Sequence, residues 1–223
     1  MAISAGADGI TAHLREDRRH ISDGDIDSLS ALCQKAGRPL NLEMAVTPEM
    51  LGVALAHKPH AACLVPERRE ERTTEGGLDV VGGHGAIAPV VDKLRAAGIR
   101  VSLFIEPAGP QIEMAEAVGA QVVELHTGAY CEAVKAGKDD LSFRLLQKLK
   151  EAAIDASRRG LEVHAGHGID YDSVTPVSQI VQLTELNIGH FLIGEAIFTG
   201  LPAAIARMRQ LMDTARDLNW VHP

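Results

Sequence analysis

Short apolar segments alternate with amphipathic segments along the chain. Each apolar segment is too short for an average helix and is rich in Leu or β-branched residues, which predicts a buried strand. The predicted strands are Gly9–Leu14, Leu40–Val46, Ala61–Val65, Val101–Ile105, Val122–Leu125, Leu161–Ala165 and Ile188–Ile193. Because helical segments separate them, the order favours an α/β fold with a parallel sheet covered by helices.

Local signals mark the ends of the predicted helices. Thr47 precedes Pro48 and an acidic residue, which is the order of an N-cap, a first-turn proline and a carboxylate near the positive end of the helix dipole. Three apolar helix faces end at glycines, Gly98, Gly119 and Gly160, which is typical of a helix that stops before a strand.

The start of the chain departs from this rhythm. The segment 4–9 has the sequence of a helix end and its glycine cap, yet only three residues precede it. A closed (β/α)8 barrel has eight strands, one more than the pattern predicts. We therefore expect a TIM barrel, formed as a single domain by residues 1–223, from which the first strand and most of the first helix are absent.

Composition narrows the function classes. The formal net charge is −8, which argues against nucleic acid or an anionic membrane as a partner. The cysteines Cys33, Cys63 and Cys131 are odd in number and widely spaced, which favours a reducing cytoplasm over a disulfide framework or a structural zinc site. No signal-peptide pattern opens the chain and no apolar run has membrane-spanning length, so we expect a cytoplasmic protein.

Acid–base side chains gather at the predicted carboxyl ends of the strands, where parallel barrels carry their chemistry. One buried His or Glu is usually a satisfied core residue, but so many at one end favour an active site. A polar layer that merely closes the barrel mouth is the alternative. The polar groups at these strand ends, which include the acid–base residues, are His13, Arg15, Glu43, Glu67, Thr73, Glu124, His126, Thr127, His164, His167, His190 and Glu195.

Two glycine motifs predict phosphate binding. Residues 166–168 and 193–196 follow the last two predicted strands, where backbone N–H groups at helix N-termini commonly hold anions. Arg15 follows His13 by two residues, so in an extended segment both side chains point the same way. Arg15 is therefore a better candidate for a substrate anion than Arg18 or Arg19, which read as a solvated helix start.

Six segments together resemble one family. They are GADGITAHLREDRRHI at 6–21, NLEMAV at 41–46, TTEGGLDV at 73–80, ELHTG at 124–128, HAGHG at 164–168 and ELNIGH at 185–190. In this order they resemble the pyridoxine 5'-phosphate synthase family over essentially the whole chain, and a sixteen-residue match is far more specific than a lone glycine motif.

The resemblance implies a ring-closing transferase of vitamin B6 biosynthesis. It implies a (β/α)8 barrel in a homo-octamer that joins 3-amino-2-oxopropyl phosphate to 1-deoxy-D-xylulose 5-phosphate. The products are pyridoxine 5'-phosphate, phosphate and water, with neither a metal nor an organic cofactor. The implied catalytic residues are His13, Glu43, His167 and Glu124. The implied substrate-binding residues are Arg15, His20 and Thr73 for the deoxyxylulose phosphate, and Gly168, Gly189 and His190 for the aminooxopropyl phosphate.

Two departures from the family pattern leave alternatives open. His164 stands where the family has Asn, and the family's Asn-x-Asp-His segment and the arginine after it have no counterpart. One alternative is a non-catalytic remnant, because a barrel that lacks a strand has two unpaired edges. Another is a metal-dependent barrel hydrolase, although His164 and His167 are poorly spaced for one ion.

Overall fold

The computed structural model describes residues 1–67 and 76–220, of which 218–220 are described for the backbone alone. In these ranges the chain forms one parallel sheet whose strands lie side by side in chain order. The strands are β1 (Ile10–His13), β2 (Leu40–Met44), β3 (Ala61–Leu64), β4 (Arg100–Ile105), β5 (Val122–His126), β6 (Glu162–Gly166) and β7 (Leu183–Asn187). The predicted α/β class with a parallel sheet is confirmed.

Helices follow the strands. After a 3-10 turn at Ile3–Ala5, they are α1 (Asp23–Ala36), α2 (Pro48–His57), α3 (Val80–Ala96), α4 (Gly109–Ala117), α5 (Gly128–Lys135), α6 (Asp139–Arg158), α7 (Val174–Ser178), α8 (His190–Thr199) and α9 (Leu201–Trp220). Within the described ranges, none of these helices is both long and apolar enough to cross a bilayer.

The sheet curls until side chains from its first and last strands meet. The hydroxyl of Thr11 in β1 donates a hydrogen bond of 2.7 Å to the amide oxygen of Asn187 in β7. Alternation along the strands separates two faces. In β2, for example, Leu42 and Met44 are fully buried against the helices, whereas Glu43 faces the inside of the curl. The apolar core therefore lies outside the sheet, and the inner face carries polar groups.

The predicted helix ends are confirmed. The Thr47 hydroxyl accepts a hydrogen bond from the backbone N–H of Met50 at 3.3 Å, and Pro48 is the first residue of α2. Gly98, Gly119 and Gly160 follow α3, α4 and α6 with φ angles of 78°, 83° and 81°. This left-handed conformation is accessible to glycine without a Cβ penalty, which explains why each helix stops there.

The first six strands lie where the sequence predicts them, but the seventh prediction is wrong. Ile188–Ile193 is not a strand; β7 is Leu183–Asn187, and α8 begins at His190. β7 is the last strand in the sheet order, and its residues Thr184 and Glu185 are exposed to solvent. Because these exposed positions are polar, β7 has no continuous apolar run by which the sequence could reveal it. The apolar segment that follows belongs instead to α8, where Ile197 is 80% exposed.

The start of the chain folds as a helix end. The 3-10 turn at Ile3–Ala5 is capped by Gly6, whose φ is 109°. This matches the predicted cap, while the absence of a first βα unit stays a prediction.

Candidate active site

A cavity of about 1600 Å³ lies inside the curled sheet. Its lining includes most of the residues predicted for the site: His13, Glu43, Glu124, His167, Gly168, Gly189 and His190. Arg15 and His20 do not line it, and Thr73 lies outside the described residues. The fold therefore brings residues from strands that are far apart in sequence around one space.

His13 and Glu43 form the first part of the site. They are direct register partners on β1 and β2, and His13 Nδ1 lies 3.6 Å from Glu43 Oε2. Burial raises the pKa of Glu43 to about 7. Burial also lowers the pKa of His13, although the Glu67 carboxylate opposes this shift. Glu43 therefore changes charge near neutral pH, as a proton-transfer group requires, while the lowered pKa of His13 favours its neutral ring.

Glu67 joins His13 to Arg15. Its carboxylate lies 3.3 Å from His13 Nε2 and 3.8 Å from Arg15 Nε. Arg15 is 3% exposed, and its Nε is also 3.8 Å from Asp17 Oδ1. His13 and Arg15 thus share a partner, as expected if their side chains point the same way. The sequence places Glu67 among the polar groups after the third strand, but neither a catalytic nor a binding role was predicted for it.

Glu124 lies in the middle of β5 and is 3% exposed. Burial first, and then the charges of Glu43 and Glu185, raise its pKa well above the usual range. This shift favours the protonated carboxyl group, which can donate a hydrogen bond. The Cys63 thiol lies 3.9 Å from Glu124 Oε2.

Gly166 makes room for the Glu124 carboxyl group. A Cβ atom on Gly166 would lie 2.2 Å from Glu124 Oε1 and 3.0 Å from the Asn187 backbone oxygen. The two residues belong to adjacent strands, β5 and β6. Any side chain at position 166 would therefore displace the acid or the strands that carry it.

Asn187 holds Glu124 from the other side and was missed by sequence reasoning. Its amide nitrogen donates to Glu124 Oε2 at 2.9 Å, while its amide oxygen accepts from the Thr11 hydroxyl at 2.7 Å. Asn41 in turn approaches the Thr11 hydroxyl at 3.4 Å. The chain of contacts links β2, β1, β7 and β5. The available sequence signal was the Asn in ELNIGH, but the strand there was placed too late.

His167 sits on a loop held by Thr127. The fully buried Thr127 hydroxyl lies 2.6 Å from the carbonyl oxygens of both Gly166 and His167. His167 has a φ of 77° and Gly168 a φ of 81°. A left-handed conformation is uncommon for a non-glycine residue and is found where the surroundings over-determine the backbone, often at functional sites.

His164 has different partners. Its Nε2 lies 2.8 Å from Glu162 Oε1 and its Nδ1 lies 3.4 Å from Glu185 Oε1. Glu162 also pairs with Arg100, and the Arg100 hydrogen bond is the largest cause that lowers the pKa of Glu162 to about 2. Glu162 begins β6, so these contacts lie toward the amino end of the strand, whereas His167 follows its carboxyl end.

In the described ranges, no group of three or more His, Cys, Asp and Glu side chains is placed to hold a metal ion.

The sequence over residues 1–214 matches the family model described as "Pyridoxal phosphate biosynthesis protein PdxJ". The chain belongs to this family. PdxJ proteins from several bacteria align with nearly its whole length. A pyridoxine 5'-phosphate synthase from Caulobacter sp. (strain K31) is 65% identical over 216 residues, which are 97% of this chain and 86% of the relative. The pyridoxine 5'-phosphate synthase of Rhodospirillum rubrum is 61% identical over 96% of this chain and 84% of its own length.

Solved structures of similar shape support the barrel class of this PdxJ chain. The structure titled "Native KDPGal structure" aligns with a TM-score of 0.67 at 13% identity, over 97% of this chain and 86% of that one. Phosphoribosyl anthranilate isomerase from Thermus thermophilus aligns with a TM-score of 0.60 at 14% identity, over 96% and 92% of the two chains. At these identities the likeness concerns the fold alone.

Proposed function

We propose that this chain is a pyridoxine 5'-phosphate synthase that condenses 3-amino-2-oxopropyl phosphate with 1-deoxy-D-xylulose 5-phosphate. Membership of the PdxJ family and the names of its close relatives support this function in vitamin B6 biosynthesis. The products are pyridoxine 5'-phosphate, phosphate and water. The reaction needs several proton transfers to carbon and oxygen, and the cavity holds several groups that can perform them.

The pairing of Glu43 with His13 carries the proposal. A carboxylate with a pKa of about 7 is an effective proton acceptor at neutral pH, and a neutral imidazole lies 3.6 Å away. Both face the same cavity from neighbouring strands. In our proposal Glu43 and His13 accept protons from the substrates, and His167 donates a proton to a leaving oxygen.

The remaining roles divide between stabilisation and binding. Glu124, protonated and held by Asn187, donates a hydrogen bond to negative charge that develops on the substrate. Gly168, Gly189 and His190 bind the phosphate of the aminooxopropyl substrate. Arg15, His20 and Thr73 bind the deoxyxylulose phosphate, and Arg15 also fixes Glu67 beneath His13.

The test is a direct assay. The purified chain is mixed with both phosphorylated substrates in the presence of a chelator, and pyridoxine 5'-phosphate is followed by its ultraviolet absorbance. We expect product from the wild-type chain and from the control Glu151→Gln, which removes an exposed carboxylate on α6. We expect strongly reduced turnover from Glu43→Gln.

The same assay separates the alternatives. Release of phosphate without pyridoxine 5'-phosphate, lost with chelator and restored by a divalent metal, supports a metal-dependent hydrolase instead. A folded wild-type chain that binds phosphorylated substrates without forming product supports a non-catalytic member of the family. Equal turnover of Glu43→Gln and wild type contradicts the role given to Glu43.

Finer features of the fold and assembly are also part of the proposal: a single domain of the (β/α)8 barrel family that lacks the first strand and most of the first helix, in a cytoplasmic homo-octamer. Two observations support a position for the lacking strand between β7 and β1. The two strands are the sheet's outer members, and α8 borders the same cavity as β1 with Ile193 62% exposed. Hydrogen exchange tests this, because backbone amides of β1 and β7 that face the position of the lacking strand should exchange quickly in this chain, and protection of these amides would contradict the proposal. Sedimentation analysis tests the octamer.

A further inference from the structure

Glu106 and His126 form a hydrogen-bonded pair that none of the roles above uses. Glu106 directly follows β4 and His126 ends β5, and His126 Nδ1 lies 2.7 Å from Glu106 Oε1. The hydrogen bond from His126 is the largest cause that lowers the pKa of Glu106, so Glu106 is a carboxylate at neutral pH. The same oxygen accepts the backbone N–H of Gly77 at 3.0 Å.

This contact determines the chemistry of the other ring nitrogen. An ionised carboxylate only accepts hydrogen bonds, so Nδ1 of His126 must carry the proton. In the neutral ring Nε2 then presents a lone pair, and after accepting a proton the ring becomes a cation held by Glu106. This is the relation between the carboxylate and the imidazole in hydrolytic triads.

His126 Nε2 is buried beside Gly128 and His167 in the lining of the cavity. His126 is 8% exposed, and within the described part of the chain its Nε2 has no hydrogen-bond partner. A Cβ atom on Gly128 would lie 2.5 Å from Nε2 and 3.2 Å from His167 Cδ2, so only a glycine at this position lets the backbone lie this close to both rings. Gly128, His126 and His167 all line the cavity.

Aromatic contacts fix the orientation of the ring. His126 packs edge-to-face on Phe104 and on His167, with centroid distances of 5.1 Å in both cases. Phe104 is 4% exposed and lies in a small apolar cluster on the inner face of the sheet. A buried acceptor without a partner costs stability unless a ligand satisfies it.

We propose that His126 is a further catalytic residue, which binds the ammonium group of the amine substrate through Nε2 and removes one proton from it. This rests on the proposed function, in which Gly168, near Gly128, holds the phosphate of the same substrate. In the step one N–H bond of the ammonium breaks, its electron pair stays on nitrogen, and the proton bonds to Nε2. The neutral amine then attacks the ketone of the second substrate, and Glu106 stabilises the imidazolium.

The decisive variant is His126→Asn, which retains a donor near the Nδ1 position and deletes Nε2. General acid–base groups contribute about 100-fold to 10,000-fold, so we expect kcat to fall by at least about 100-fold at pH 6.5. An amine of this kind titrates at about pH 8, so it is largely uncharged in solution at pH 8.5. At that pH the kcat of His126→Asn should therefore lie within about 10-fold of the wild-type kcat. A structural role does not produce this rescue by pH.

Two controls accompany it. His84→Asn changes an exposed histidine on α3 and should retain wild-type turnover. Glu106→Gln keeps an acceptor for both N–H groups but removes the charge, so its loss of turnover should be smaller than that of His126→Asn. Melting temperatures of all variants separate misfolding from a catalytic defect. Activity of His126→Asn within threefold of wild type, or a defect that does not change with pH, overturns the inference.

A binding measurement gives a readout that does not need turnover. The probe is 3-amino-2-hydroxypropyl phosphate, which keeps the ammonium and the phosphate but lacks the reactive ketone. We expect it to shift the Nε2 nitrogen resonance of His126, assigned by its absence in His126→Asn. Absence of product from the wild type would refute the proposed function, whereas an unshifted resonance at saturating probe would refute the role of His126.

Discussion

Replacing Glu43 by Gln should stabilise the protein at high pH while it removes activity. In the folded chain the pKa of Glu43 is raised by burial from 4.5 to about 7. One pKa unit corresponds to about 1.4 kcal/mol, so ionised Glu43 opposes folding by about 3 kcal/mol at pH 8. Its side chain is 24% exposed, so this figure is an upper bound.

The sign follows from proton binding. Between pH 4.5 and about 7 the folded state holds a proton on Glu43 that the unfolded chain releases. The contribution of Glu43 is therefore favourable below this window and is lost as the pH rises through it. Gln does not titrate, so Glu43→Gln should gain stability over wild type as the pH rises, by up to about 3 kcal/mol.

Urea unfolding at pH 5 and pH 8, at one protein concentration, measures this difference. Glu151→Gln is the matched control, because Glu151 is exposed and its effect should not depend on pH. The measured quantity is the difference in free energy of unfolding between wild type and Glu43→Gln. If this difference changes by less than about 0.5 kcal/mol between the two pH values, the burial argument is refuted. In the activity assay, wild-type kcat/KM should fall about tenfold per pH unit below pH 7, since the proton acceptor must be ionised.

The other predictions concern the support of Glu124 and the fold. Gly166→Ala should lower kcat by at least about tenfold, because its Cβ would lie 2.2 Å from Glu124 Oε1, whereas Gly109→Ala, with open space around it, should retain activity. Steady-state kinetics measure both, and an unaffected Gly166→Ala would show that Glu124 has freedom to move. Asn187→Leu should lower kcat by removing a hydrogen bond to Glu124, and Asn187→Asp should lower it further because it places a second carboxylate there. Equal kcat values of Asn187→Leu and Asn187→Asp would contradict the predicted effect of a second carboxylate beside Glu124. Thr47→Ala should cost about 1 kcal/mol in urea unfolding through the lost helix cap, with unchanged kcat; no change in stability would count against the cap.

Much of the fold follows from local sequence. The first six strands and the helix ends at Gly98, Gly119 and Gly160 depend on side-chain burial and backbone preferences within a few residues. Such preferences can be recognised in a linear pattern. The seventh strand was misplaced because β7 lies at one end of the sheet order with exposed polar residues, and only its pairing with β6 identifies it as a strand.

The candidate site also has a part that follows from the sequence and a part that only the structure shows. His13, Glu43, Glu124 and His167 were expected close together because a parallel sheet brings the carboxyl ends of its strands together, whereas their catalytic roles were implied by the family resemblance. Their order in the chain is enough for that inference, and seven of the predicted site residues do line one cavity.

The partners of these residues were decided by the tertiary structure alone. Asn187 reaches Glu124 across the curled sheet, and Glu106 reaches His126 from the neighbouring strand. The proximity of the residues in each of these pairs depends on the curvature of the sheet and the register of its strands. Both are set collectively by the packing of the strands and helices. A sequence by itself determines which chemical groups are available and at which strand ends they lie. Only the packed structure decides which groups meet, and therefore which of them are ionised.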